Sequence, residues 1–261
     1  MSTIHFLVSN DDGIYAPGLE ALVKALLALG RVTIAAPNRE RSAASHSLTL
    51  EHPIRAHKVA YPLPVQEAFA ISGTPSDCVK LALSNLLPAP PTYVISGMNS
   101  GANMCVDVFY SGTVAAACEG LFLGIPAVAF SLAGRDPSAD FGAAIPWIDA
   151  SMREVLRHPP PPGTMYNINI PALEPTLIKG WRVTRLGKVR YNDSYELRHD
   201  PGGKPYYWLK GSLEVLDPDP ATDIIAVREG FISVTPLRPE LTDFPGVTRL
   251  STAFQPVAPT F

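Results

Sequence analysis

Two aspartates stand side by side in the run Asn10-Asp11-Asp12-Gly13, directly after the apolar stretch IHFLVS at 4–9. Adjacent side chains on a strand point to opposite faces, so neighbouring carboxylates converge only where the chain turns, and Gly13 permits that turn. Two acidic oxygens at a strand end suit a hard cation such as Mg²⁺, Mn²⁺ or Ca²⁺. The same letters also make an ordinary turn with a helix cap. A second loop, NRERSAASHS at 38–47, follows the apolar RVTIAAP at 31–37. Its small hydroxyls, Ser42 and Ser45 among them, stand beside Arg39, Arg41 and His46 and offer donors to an anion in little space. His46 suits three roles: an acid, a phosphate donor or a satisfied loop histidine.

A third loop runs Ser96-Gly97-Met98-Asn99-Ser100-Gly101-Ala102-Asn103, and Tyr110-Ser111-Gly112-Thr113 then opens a helical pattern. Glycines let the backbone approach a ligand, and the free N–H groups of a helix start favour a phosphate. Ser111 or Thr113 also reads as a plain helix cap. Acidic oxygens on one loop and anion donors on two others point together to metal-assisted chemistry on a phosphate ester. A nucleotide-binding regulatory module would need the same phosphate loops without the metal. An aspartyl-phosphate route would need one Asp of the pair as nucleophile.

Absences narrow the choice. The chain carries no Walker A, GxGxxG, HExxH, GxSxG or kinase signature. Three cysteines, Cys78, Cys105 and Cys118, form no CxxC pair, which argues against a disulfide framework and a zinc knuckle. Asp217, Asp219 and Asp223 lack the Gly and terminal Glu of a calcium loop and read as a solvated turn. With 21 Lys and Arg against 24 Asp and Glu, the net charge of −3 leaves no basic footprint for a nucleic-acid duplex. A hydrophobic share of 46% and a charged share of 17% exclude a disordered chain and a coiled coil. No apolar run approaches the roughly 20 residues of a membrane helix. The start MSTIHFLVSNDDG lacks a positive n-region, so a soluble cytoplasmic protein is expected.

The elements that must position these loops alternate. Strands are expected at 4–9, 31–37, 68–72, 93–97, 126–131 and 165–170. Helices are expected after Pro17, after the Thr74-Pro75-Ser76-Asp77 start, after Thr113 and over 144–156, with Pro146 in the first turn of the last or kinking it. This alternation implies an α/β fold with a mostly parallel sheet covered on both faces. Residues 1–176 form the expected core. From about 177 the texture becomes strand-rich, an antiparallel excursion through 237 with one short helix at TDIIAVREG, and 238–261 reads as an arm with little periodicity.

LVSNDDGIYAPGLEAL, APNRERSAASHSLTL, SGTPSDCVKLAL, SGMNSGANM, DVFYSGTVAAACEG and GIPAVAFS resemble, in order, the SurE family (stationary-phase survival protein E). PYYWLKG and TDIIAVREGFISVTPL extend the resemblance to about residue 242. It implies a Rossmann-like core with a β-rich C-terminal extension exchanged between subunits of a homodimer or homotetramer. It also implies a divalent-metal-dependent phosphatase of nucleoside 5′- and 3′-monophosphates, some members trimming short polyphosphate. The metal ligands implied are Asp11, Asp12, Ser42 and Asn99, and the phosphate-holding segment Ser111, Gly112 and Thr113, with Ser45, His46 and Asn103 nearby as substrate-binding candidates. Three departures stand out: Ser100 where the family commonly has Arg, Cys105 where it has Gly, and Asn38 in place of a usual Asp.

Overall fold

The computed structural model describes residues 4–134 and 140–254. The chain runs through β1 (His5–Ser9), α1 (Pro17–Leu27), β2 (Arg31–Pro37), a short β3 (Ala56–Lys58), β4 (Glu67–Ile71) and α2 (Pro75–Leu81). It continues with β5 (Tyr93–Ser100), α3 (Gly112–Phe122), β6 (Ala127–Ala133), α4 (Phe141–Arg157) and β7 (Met165–Pro171). The excursion follows as β8 (Trp181–Val183), the hairpin β9 (Val189–His199) and β10 (Pro205–Val215), and α5 (Asp223–Arg228). It returns in β11 (Ile232–Leu237) and ends in α6 (Phe244–Ala253).

The central sheet has the order β3-β4-β2-β1-β5-β6-β7-β11-β8. From β4 to β7 every pairing is parallel, as the alternating pattern predicts, while β11 returns antiparallel beside β7. Alternation along β1 explains why helices cover both faces. Phe6 and Val8 pack in the core that Leu22 of α1 and Ile148 of α4 enter, and Leu7 packs opposite with Val79 of α2 and Val114 of α3. The chain leaves β1 toward β2 and β4, then returns on the other side through β5, β6 and β7. The order therefore reverses at the β1–β5 pair, and the crevice at the carboxyl ends of those two strands is where such sheets bind ligands.

Local chemistry sets the helix starts. Thr74 and Asp77 form the expected capping box, with the Asp77 N–H donating to Thr74 Oγ1 at 3.1 Å and the Thr74 N–H to Asp77 Oδ2 at 2.9 Å. α4 starts earlier than expected because Asp140 accepts the Gly142 N–H at 2.7 Å, which leaves Pro146 inside the helix, beyond its first turn. The tail also departs from the expectation of an unpatterned arm through residue 254. Pro245 sits in the first turn of α6, and Phe244, Val247 and Leu250 recur at helical spacing as an exposed stripe. Residues 255–261 of that arm lie outside the described residues. Both strands of the β9–β10 hairpin pair only with each other and expose Tyr195, Tyr207, Trp208 and Leu209.

The solvated-turn expectation at 217–223 holds only in part. Asp217 and Asp219 are surface partners of Arg185, but Asp223 is fully buried. Its carboxylate accepts backbone N–H groups from Cys105 at 2.8 Å, Gly187 at 2.9 Å and Ile224 at 2.8 Å. One side chain thus ties the excursion to the loop after β5. Spacing could not reveal this, because the donors come from three separate segments. Cys105 adopts a positive φ of 55°, a backbone region that glycine adopts at no steric cost, and burial, joined by the carboxylate beside it, pushes its thiol pKa far up. Asp223→Ala leaves two buried donors and one half-buried donor unpaired, and the expected loss is on the order of 3 kcal/mol. Urea unfolding checks it as a lower midpoint at unchanged slope; a loss below about 1 kcal/mol would contradict the clasp.

Candidate functional site

At the end of β1 the buried Asn10 closes the turn on itself, its Nδ2 donating to the Gly13 carbonyl at 2.9 Å and its Oδ1 accepting the Gly13 N–H at 3.2 Å. Gly13 sits at φ 103°, a conformation that suits glycine. The turn drives Asp11 into the crevice, where it is only 4% exposed, and leaves Asp12 more open. The Thr113 hydroxyl, fully buried, donates to Asp11 Oδ1 and lies 3.5 Å from Asn99 Oδ1. The Ser100 N–H donates to Asp12 Oδ2 at 3.2 Å, and the Arg41 N–H to the Asp11 carbonyl at 2.7 Å. Three loops distant in sequence are stitched together around two carboxylates.

The start of α3 reaches Asp11 because Gly112 has no side chain. A Cβ there would stand 2.9 Å from Asp11 Cβ, 3.0 Å from Asp11 Oδ2 and 3.0 Å from Pro75 Cγ. The helix therefore aims its N-terminal N–H groups and the positive end of its dipole at the Asp11 carboxylate. Ser111 caps α3, its Oγ accepting the Val114 N–H at 3.1 Å. The register of β5 against β6 shifts between Ser96 and Asn99, an irregularity of the kind that re-aims side chains beside functional sites. Asn99 thus lies on an extension of β5, and its Nδ2 donates to the Gly101 carbonyl at 2.8 Å, so its oxygen is the end turned toward Thr113.

Burial raises the pKa of Asp11, opposed by the hydrogen bonds from Thr113. Asp12 is pushed up to about 6, first by burial and then by the Asp11 charge beside it. Glu40 adds a third negative charge that raises both, and it accepts the Ser42 hydroxyl at 2.7 Å. Sequence reading passed over Glu40 although it lies inside the second loop; its charge beside the aspartates emerges only from the fold. Concentrated negative charge that burial penalises, with the neutral oxygen of Asn99 turned toward the same Thr113 hydroxyl, fits a hard divalent cation, while the exposed Ser42 hydroxyl is turned to Glu40. No cluster of three or more His, Cys, Asp or Glu able to hold a metal is found among the described residues, so neutral oxygens would have to complete the shell.

The remaining candidates are distributed unevenly. Asn103 is buried: its N–H donates to Asn169 Oδ1 at 2.9 Å, and its Nδ2 to Ser131 Oγ at 2.8 Å. Those bonds anchor the loop between Asn99 and Cys105. Ser45 straps the second loop to the third, its Oγ donating to the Phe109 carbonyl at 2.6 Å and its N–H to the Tyr110 carbonyl at 3.1 Å. His46 is not brought to the aspartates. Its Nε2 lies 2.8 Å from Glu119 Oε1 and its ring stacks on Phe122 at 5.4 Å. Glu119 lies six residues beyond Thr113, about 9 Å along α3. Burial works to raise the Glu119 pKa, but His46 and Lys80 together hold it below the usual range.

A family model described as Survival protein SurE matches residues 6–193. A 5′-nucleotidase SurE of Moorella thermoacetica is 48% identical over 91% of this chain and 91% of its own length. Another from Thermosynechococcus vestitus is 44% identical over 99% of both chains. Among solved structures, the SurE protein from Aquifex aeolicus superposes with a TM-score of 0.84 at 39% identity, covering 95% of this chain and 99% of that one.

The raised carboxylates make a pH prediction for the metal-free protein. A folded pKa of about 6 for Asp12, above the unfolded value of about 3.9, means that the folded chain binds more protons than the unfolded one between those values. This group therefore lowers stability as pH rises through that window. Asp12→Asn is expected to raise Tm in excess chelator at about pH 7.5 and to change it far less at about pH 4.5. Equal shifts at both pH values would contradict the charge accumulation.

Proposed function

The chain belongs to the SurE family, and on that premise we propose that it is a 5′-nucleotidase, releasing phosphate from nucleoside 5′-monophosphates with one divalent cation held by Asp11, Asp12, Ser42 and Asn99. The observation that carries this reading is the convergence of Asp11 and Asn99 oxygens on Thr113 at the N-terminus of α3, with the Asp12 charge beside Asp11, at the point where strand order reverses. Mg²⁺ and Mn²⁺ suit the all-oxygen donors, and Ca²⁺ fits the same shell. Nucleoside 3′-monophosphates and short polyphosphate are further substrates proposed for the same site.

When bound, the ion supplies Lewis-acid polarisation of a phosphoryl oxygen and activation of water. The protein's part is orientation. Thr113 points Asp11, the Ser100 N–H points Asp12, and the Arg41 N–H fixes the Asp11 backbone. The Thr113 hydroxyl is committed to the carboxylate, so the phosphate is left to the backbone of the helix start, with Gly112 allowing close approach. That positive helix end stabilises charge on the equatorial oxygens during in-line transfer. His46, committed to Glu119, is left without a role at phosphorus. We read the protein as a cytoplasmic homodimer or homotetramer. The exposed aromatic hairpin and the unpaired α6 stripe support an assembly, and no described helix is long and apolar enough to cross a membrane.

Phosphate release from a panel of nucleoside monophosphates should vanish in EDTA and return with Mn²⁺ or Mg²⁺. Asp11→Asn should lose at least about a hundredfold in kcat/KM, beyond the roughly 10–100-fold range of outer-shell partners. Unchanged nucleotide affinity with no loss of turnover in Asp11→Asn would support a binding module instead. Thr113→Val, which keeps shape but removes the hydroxyl from Asp11, should weaken Mn²⁺ binding about tenfold or more by calorimetry.

A further inference from the structure

A phosphate site leaves the rest of a nucleotide to be placed, and no base platform can be picked out of the sequence. A groove of about 700 Å³ opens beside Asn99, within the size range of small-molecule sites. Gly101 and Gly134 form its near wall, and a methyl group built on Gly101 would stand 3.9 Å from Asn99 Nδ2. The groove therefore begins where the proposed metal shell ends. Its far wall is the base of the hairpin, with Tyr191 from β9 and Ser212 from β10, and Met104 and Arg228 also line it.

Two struts hold these walls apart. The Tyr191 hydroxyl donates to both carboxylate oxygens of Asp107, at 2.6 and 2.8 Å, which fixes the ring at the groove wall. Asp223 clasps Cys105 and Gly187, which fixes α5, the helix carrying Arg228, against the site loop. The result is an open slot with small residues on one side and an anchored aromatic ring on the other. We propose that this groove receives the nucleoside of the substrate, with the Tyr191 ring as the stacking surface for the base and Arg228 as a donor to base or sugar. This deepens the nucleotidase reading and rests on it for the phosphate end alone. An aromatic face accepts any base, so the slot selects nucleosides over simpler phosphate esters more strongly than it selects one base. Arg228, which lines the groove, carries N–H donors for acceptors on the base or sugar.

The test compares AMP with glycerol 2-phosphate, which has no base, and measures adenosine binding by calorimetry, which needs no turnover. Tyr191→Ala should lower the ratio of kcat/KM for AMP over glycerol 2-phosphate about tenfold, within the range of one base–aromatic stack. Tyr191→Phe keeps the ring and should lower it about threefold at most. Ser212→Trp, on an exposed strand, fills the slot and should abolish measurable adenosine binding. Equal losses on both esters in Tyr191→Ala and Ser212→Trp would mean that the hairpin acts on the scaffold, which overturns the proposal. Adenosine binding unchanged by either variant, or lost only when the apolar groove along α3 is filled by Cys118→Trp, would overturn it by placing the nucleoside elsewhere. If the parent protein released no phosphate from any ester yet bound adenosine in a Ser212→Trp-sensitive way, the hydrolase reading would fail and the groove assignment would stand.

Discussion

Two neighbouring carboxylates at the end of a strand buried on both faces set the problem that the rest of this structure answers. Unit charges about 4 Å apart repel by about 4 kcal/mol at an effective dielectric of 20, before desolvation is counted. Hydrogen bonds to a charged group return about 1.5–3 kcal/mol each. The Thr113 hydroxyl, the Ser100 N–H and the dipole of α3 offset part of that cost, yet Glu40 adds to it, and both aspartates remain raised. Neutral donors orient the pair without neutralising it. The proposed divalent cation would balance the charge that remains.

Much of the surrounding architecture serves to bring those donors within reach. Parallel pairing of β1 with β2 and β5 places three loops along one edge. Gly112 lets a helix start touch a carboxylate, and the extra residue of β5 between Ser96 and Asn99 sets Asn99 opposite Ser131 of β6. The C-terminal excursion contributes at a distance. Asp223 holds the loop after β5 from behind, while Asn103 holds it through Asn169 and Ser131. Between these anchors the loop has little freedom, which is what the proposed metal site would need in order to pre-orient a neutral ligand such as Asn99.

The hairpin follows a different logic. Its strands bury little and expose large aromatic and aliphatic side chains on both faces, an arrangement that a lone two-stranded ribbon sustains poorly in water. Its base is nonetheless fixed to the core through Tyr191 and Asp107. One end of the ribbon thus belongs to the site region and the other reaches into solvent, so the same element can shape a groove and present an apolar surface.

The local pattern of residues was enough to determine the alternation of strands and helices, the Thr74–Asp77 cap and the three loops on which the chemistry gathers. These depend on periodicity, turn residues and capping within a few positions, and the parallel sheet follows from them. The resemblance in motif order added the family and its fold, and the proposed ligand set rests on it. Tertiary structure decided the rest, because the deciding contacts join residues far apart in the chain. It gave the Thr113 hydroxyl to Asp11, placed the Glu40 charge beside the pair and turned Asp223 from an apparent surface acid into a buried clasp. It carried His46 along α3 to Glu119, and set Tyr191 across a groove from Gly101. Sequence spacing reports which face of its own element a side chain occupies; which distant group meets it there is fixed only when the elements pack.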